Sequence, residues 1–312
     1  MISLRYHVIS IAAVFLALAL GVVLGSTAIS DRLLSGLSSN RDDLGRQVSD
    51  LQAERNALNA QLANADVFGA AVGPRIVSGA LRGRSVVFVT TADAAPADRD
   101  ALTGLLSSAG ATVTGELQLT DAFTDPARSD QLSELSTRLL PAGLRLPTAS
   151  DAGTLAGGLL GSLLLINPNN GKAQATPAET TAVLAGLGDG GFVRSGPRVL
   201  PAQLVVVLTG GASRGNGSGD RAGILARFAT QLDHAGGGAV LAGRSGSADG
   251  NGAIGVVRAD TAAASVLSTV DDVNTAAGRV VSVLALAEQA QGRAGRYGTG
   301  GNAQAMVPAI QG

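Results

Sequence analysis

The chain has 312 residues, 23 Lys plus Arg against 24 Asp plus Glu, a formal net charge of −1 and no cysteine. Near-neutrality argues against a nucleic-acid binder, and the modest overall hydrophobicity argues against a polytopic transporter. The absence of cysteine excludes disulfides, thiolate metal sites and cysteine nucleophiles, and fits either an oxidising or a reducing compartment.

His7, His234, Met1 and Met306 are the remaining imidazole or thioether ligands. They are scattered, whereas copper or zinc requires two to four such groups converging in space. No metal site and no direct copper binding are expected. Lys172 is the single lysine, and aromatics make up 3% of the chain with no tryptophan. Any core must therefore be built from Val, Leu, Ile and Ala, with small residues allowing close approach of helix and sheet.

Residues 8–24, VISIAAVFLALALGVVL, carry no charge, and the run continues through small residues to Ile29. At 1.5 Å per residue, 8–29 spans about 33 Å, enough for one membrane crossing. Arg5 and the amino terminus precede it, so the amino end is expected in the cytoplasm and the bulk of the chain outside, on the plasma membrane. A cleaved signal peptide is the alternative, since Ser26, Thr27 and Ala28 offer small residues for processing, but the apolar run exceeds a usual signal core of about 7–15 residues. Gly21 and Gly25 form a G-x-x-x-G pair that would let two membrane helices approach closely.

Leu37, Leu44, Leu51 and Leu58 then recur every seven residues, with Leu34, Val48 and Leu62 on the complementary heptad positions. This is the a/d seam of a parallel dimeric coiled coil, with Arg41 and Arg55 at the remaining a positions restricting register. A single amphipathic helix packed on its own domain would also show an apolar stripe, though a broader one. Residues 33–66 would make a helix about 50 Å long. Gly69, Gly73 and Pro74 are expected to end it.

From residue 84 the pattern changes. SVVFVTT suits a buried parallel strand, residues 95–109 have helical spacing, and ATVTGELQL is a second strand. Residues 163–166, 204–208 and 238–242 are further strand candidates, with helices at 176–187, 220–234 and 280–288. The fold class expected is α/β: an N-terminal transmembrane helix, the coiled coil, then one doubly wound, Rossmann-like α/β domain. The boundaries are a cytoplasmic N-terminus at 1–7, membrane helix at 8–29, coiled coil at 30–68, linker at 69–83, α/β domain at 84–291 and a flexible C-terminal tail at 292–312.

In such folds ligands bind beyond the carboxyl ends of the strands. Residues 90–93, 210–220 and 243–252 hold those positions, with Thr90, Asp93, Gly210 and Asp220 marking a possible pocket or partner surface. GGASRGNGSGD lacks G-x-G-x-x-G spacing and a Walker Lys-Ser/Thr, so it reads as a surface loop, as does GRSGSADGNG. His234, Asp271 and Asp272 read as helix-terminus charges. No nucleophile–base pair and no cofactor fingerprint emerge, so neither an enzyme nor a cofactor is expected.

Two stretches, MISLRYHVISIAAVFLALALGVVLGS and STVDDVNTAAGRVVSVLALAEQAQGRAGRYG, resemble the actinobacterial copper transport protein B (MctB) family, which includes the corynebacterial cell-separation protein SteB. The resemblance covers nearly the whole chain and implies one of two roles. One is copper homeostasis, by efflux or as a channel component in the mycobacterial outer membrane. The other is an inner-membrane-anchored homodimer that works with a SteA-like partner and activates a cell-wall peptidoglycan hydrolase during cell separation. An outer-membrane barrel should show many alternating segments of about ten residues, whereas these strands are continuous and apolar, and the single membrane helix carries no ionisable side chain to line an ion path.

Overall fold

The computed structural model describes residues 4–196, 198–212 and 215–309, and within the first helix the side chains of residues 26–40 and 42 lie outside that description. Two compact units are present, Met1–Ala65 and Asp66–Gly312.

The described part of the first unit is helical throughout and belongs to α1 (Leu4–Ile76). Its Leu4–Gly25 segment is 22 residues with mean hydropathy 2.7, long and apolar enough to cross a membrane, and none of it is buried. It starts four residues before the expected span.

Gly69, Gly73 and Pro74 do not end the helix. α1 continues to Ile76 because the two glycines serve close packing rather than termination. A β-carbon at Gly69 would lie 3.2 Å from Ala276 Cβ, and one at Gly73 would lie 2.8 Å from Val280 Cγ2. Hydrogens in place of side chains let this last part of α1 lie against α9 (Ala276–Gln289). Residues 69–83, expected as a linker, are thus part of the second unit, and Val77 and Leu81 are buried in its core.

That unit is mixed α/β with a seven-stranded, mostly parallel sheet. In chain order the strands are β1 (Ser85–Thr90), β2 (Thr112–Leu119), β3 (Val193–Ser195), β4 (Leu204–Thr209), β5 (Ala239–Gly243), β6 (Ser268–Val270) and β7 (Arg296–Tyr297). Their spatial order is β3-β2-β1-β4-β5-β6-β7, with β3 the antiparallel edge. The chain therefore winds outward in both directions from β1, and the order reverses between β1 and β4.

Both faces of the sheet are covered, which is why its strands read as unbroken apolar runs. Val87, Val89, Val205 and Val207 enter one core with α3 (Ser129–Arg138), α4 (Ala152–Leu164), α5 (Pro177–Asp189) and α6 (Ser218–Ala235). Val86, Phe88, Leu204, Val206 and Leu208 enter the other with α2 (Pro96–Ser108) and α9. The short α7 (Ala253–Ala259) and α8 (Thr261–Val266) connect β5 to β6.

Two expectations need correction. Residues 163–166 are not a strand: Leu163 and Leu164 close α4, and Leu165 and Ile166 make isolated bridges to Ala202 and Ala173. The segment from residue 292 is not a loose tail up to residue 309. Its Arg296–Tyr297 pair with β6, and Tyr297 is buried with its hydroxyl donating to Glu288.

Candidate functional site

The first candidate surface is the seam on α1. Leu44, Val48, Leu51, Leu58 and Leu62 are 52–69% exposed. Their heptad spacing places them on one helix face. Leu34 and Leu37 lie outside the described side chains. Gly21 and Gly25 are exposed, with open space where a β-carbon would stand.

The second is the crevice where the strand order reverses, the place where open α/β sheets take ligands. A cavity of about 140 Å³ opens there, lined among others by Thr91, Asp93, Thr120, Asp121, Arg221 and Ser247. Two glycines make room for its polar groups. A β-carbon at Gly210, just after β4, would fall 2.3 Å from Asp93 Oδ2, and one at Gly243, ending β5, would fall 2.5 Å from Ser247 Oγ. Only glycine lets these two side chains lie over the strand ends.

Of the residues anticipated from sequence, Asp93 lines this cavity and Gly210 shapes it. Thr90 turns aside: its hydroxyl donates to Glu116 at 2.8 Å. Asp220 is exposed in the first turn of α6 and does not line the crevice. Ser213 and Arg214 lie outside the described residues. Thr120 and Arg221 were not anticipated, and Ser247 lies in the 243–252 stretch that the sequence placed at a strand end but read as a surface loop. The signal available was the pair of glycines at two strand ends.

Behind the crevice, a charged cluster joins its loop to the end of α1. Gly210 O accepts the Arg244 backbone N–H at 3.1 Å, and the Arg244 guanidinium lies 2.9 Å from the buried Asp98 carboxylate. That pair is oblique, so Asp98 Oδ2 has no hydrogen bond among the described residues. Arg279 stands 3.7 Å from Asp98 and 3.7 Å from Asp66 of α1, and donates to the carbonyls of Val273 and Asn274. Asp66 in turn accepts the Ala276 N–H, taking one of the free amides at the start of α9.

The helix-terminus reading of Asp271 and Asp272 also needs correction. The amino end of α9 is capped by Thr275, which accepts from Gly278 N at 2.9 Å. Asp271 is buried against Arg258 and accepts the amides of Thr299 and Gly300 at 2.8 and 3.1 Å. Arg258 also donates to Tyr297 O at 2.6 Å and Asn302 Oδ1 at 2.8 Å. Together they fasten the carboxyl-terminal strand to β6. Burial first, and then the neighbouring Asp271 charge, push the Asp272 carboxyl up.

A larger cavity, about 480 Å³, lies at the opposite, amino ends of the strands, with Arg84, Gln203, Asp233 and Gln289 among its walls. Asp233 accepts the Ala239 N–H at 2.8 Å, and burial pushes its carboxyl up to about 7. Among the described residues no group of three or more His, Asp or Glu is placed to hold a metal ion.

Compared with known proteins, residues 1–308 match the family described as "Copper transport outer membrane protein, MctB". A protein of Mycobacterium tuberculosis (strain ATCC 25618 / H37Rv) named "Copper transporter MctB" is 43% identical over 312 residues, covering 98% of this chain and 99% of that protein. One of the same name from Mycobacterium leprae (strain TN) is 40% identical over 315 residues, with 98% and 99% covered.

Proposed function

This chain belongs to the MctB family, and from that membership we propose that it is a non-enzymatic, membrane-anchored envelope protein that pairs with a second copy of itself. In this reading residues 8–29 anchor it in the plasma membrane with the amino end in the cytoplasm. The a/d seam forms a parallel coiled coil, and the α/β domain outside meets a SteA-like partner and a cell-wall hydrolase during cell separation.

The observation that carries the reading is the exposed seam. Five large apolar side chains on one face of a helix, uncovered in a single chain, would each gain about 1.5–3 kcal/mol on full burial. A second copy inserted with the same topology emerges beside the first and covers them.

The test is the mass of the full-length protein in detergent by light scattering. The wild type should be a dimer and the Leu44→Asp/Leu51→Asp variant a monomer that no longer supports cell separation. A monomeric wild type, or full activity from a monomeric variant, would overturn the reading.

The relatives' name favours a second reading, participation in copper transport or homeostasis. The two histidines and two methionines of this chain are few for a copper path, which favours an indirect role through envelope integrity. Copper flux through liposomes carrying the purified protein, above a protein-free control, would establish the direct version.

A further inference from the structure

The crevice between β1 and β4 is one-sided in its chemistry. The hydroxyls of Thr91 and Thr120 are already engaged with the protein. The Thr91 hydroxyl donates to Asp93 with Leu208 O also in reach, and that of Thr120 donates to Gly191 O at 2.6 Å with Phe192 O at 3.1 Å. Arg221 donates to Asp121 O at 3.4 Å and stands 3.7 Å from the Asp125 carboxylate. Each hydroxyl so engaged keeps lone pairs to offer.

Toward the cavity stand acceptors, those lone pairs and the carboxylates of Asp93 and Asp121, beside the guanidinium of Arg221. Ser247 is among the residues lining the same cavity, is 1% exposed, and its Oγ has no hydrogen-bond partner among the described residues. Buried hydroxyls in folded proteins are nearly always satisfied, so an orphan at the wall of a cavity points to something that comes and goes there. Ala222, Leu225 and Ala253 supply an apolar side to the same space.

Charge decides the class of visitor. The described lining residues carry two carboxylates against one guanidinium, and Asp125 already shares that guanidinium. An anion would meet Asp93 at the very position where other open α/β sheets receive phosphate. A primary ammonium brings three donors and no acceptor, which complements this wall, while a methylene stem suits Ala222 and Leu225.

We propose that the crevice is a binding site for an ω-aminoalkyl group, with Asp93 receiving the ammonium and Ser247 and the threonine hydroxyls completing its shell. About 140 Å³ admits the end of such a chain and not a large cofactor. A free small diamine and a lysine side chain of a protein share this chemistry.

The test uses the full-length protein in detergent micelles with methyl-labelled Ala and Leu, following Ala222, Leu225 and Ala253. Titration with 1,5-diaminopentane should shift these methyls saturably, with a midpoint at least tenfold below that of 1-pentanol, and glutarate should not saturate. Asp93→Asn should raise the diamine midpoint at least tenfold, and Ser247→Ala should raise it by a smaller factor with the rest of the spectrum unchanged. A capped Gly-Lys-Gly peptide with a midpoint below the diamine's would identify a protein lysine as the source, and the reverse order a free amine. No saturable shift with either amine, equal midpoints for diamine and pentanol, or saturation by glutarate would overturn the proposal. So would a folded Asp93→Asn variant that binds the diamine like the wild type.

Discussion

Asp233 and Arg258 show how differently a buried charge can be held. Asp233 has one amide hydrogen bond and, among the described residues, no ion pair, and burial raises its carboxyl to about 7 against about 4 in an unfolded chain. Between those values the folded state holds the proton that the unfolded state has released. Stability from this group therefore falls as pH rises from about 4 to about 7 and is constant above. Asp233→Asn should gain thermal stability relative to the wild type across that window, favouring the variant most at pH 8. Parallel melting curves from pH 4 to 8 would refute it. Arg258 is surrounded instead by Asp271, Thr269, Tyr297 O and Asn302. Arg258→Ala leaves the Asp271 carboxylate buried beside two remaining amides and should cost about 3–5 kcal/mol in denaturant unfolding, because a buried ion pair broken on one side leaves an uncompensated charge. A loss below about 1 kcal/mol would show that Asp271 finds water.

Helix packing in α4 rests on glycine. Gly153, Gly157 and Gly161 recur every fourth residue of α4 and face α6, where β-carbons would approach Ile224 O to 2.4 Å, Gln231 Cβ to 2.7 Å and Ala235 Cβ to 2.5 Å. Gly157→Ala would ordinarily add helix propensity of about 1 kcal/mol. Here it should instead destabilise by about 1–3 kcal/mol, since the backbone of α6 must move. Thermal unfolding of the variant decides the sign. The same principle explains what was legible in the sequence. β1, β4, β5, α2, α5 and α6 announced themselves because an apolar run or a periodic stripe ends in a clear cap or turn. α4 was hidden because twelve of its residues are buried on nearly every side, which removes the periodicity and made its last residues look like a strand. Asp93 and Gly210 were found from topology alone. Ser247 was placed at a strand end but read as part of a surface loop, since its position depends on Gly243 four residues earlier leaving space above that end. β7 was unreadable because two residues among glycines carry no strand pattern, and their anchor, Arg258, lies far away in the chain.

At the scale of the whole molecule, the carboxyl-terminal residues complete the domain rather than trail from it. Removing residues 293–312 deletes β7, takes Asn302 and the amides of Thr299 and Gly300 from the Arg258–Asp271 pair, and uncovers Val270. Circular dichroism melting should show a transition at least several degrees lower than that of the intact protein. An unchanged transition would mean the segment is an accessory. The other border is set by Asp66. Its carboxylate takes the Ala276 amide, Gly69 and Gly73 lie against the same helix, and Val77 and Leu81 fill the core behind them. Evolution can shorten or lengthen a plain stalk residue by residue, but not this stretch. One residue deleted between Asp66 and Gly73 turns the helix by about 100°, swinging the carboxylate away from its amide and a full side chain into Val280. Insertions and deletions among relatives should therefore fall upstream of residue 66.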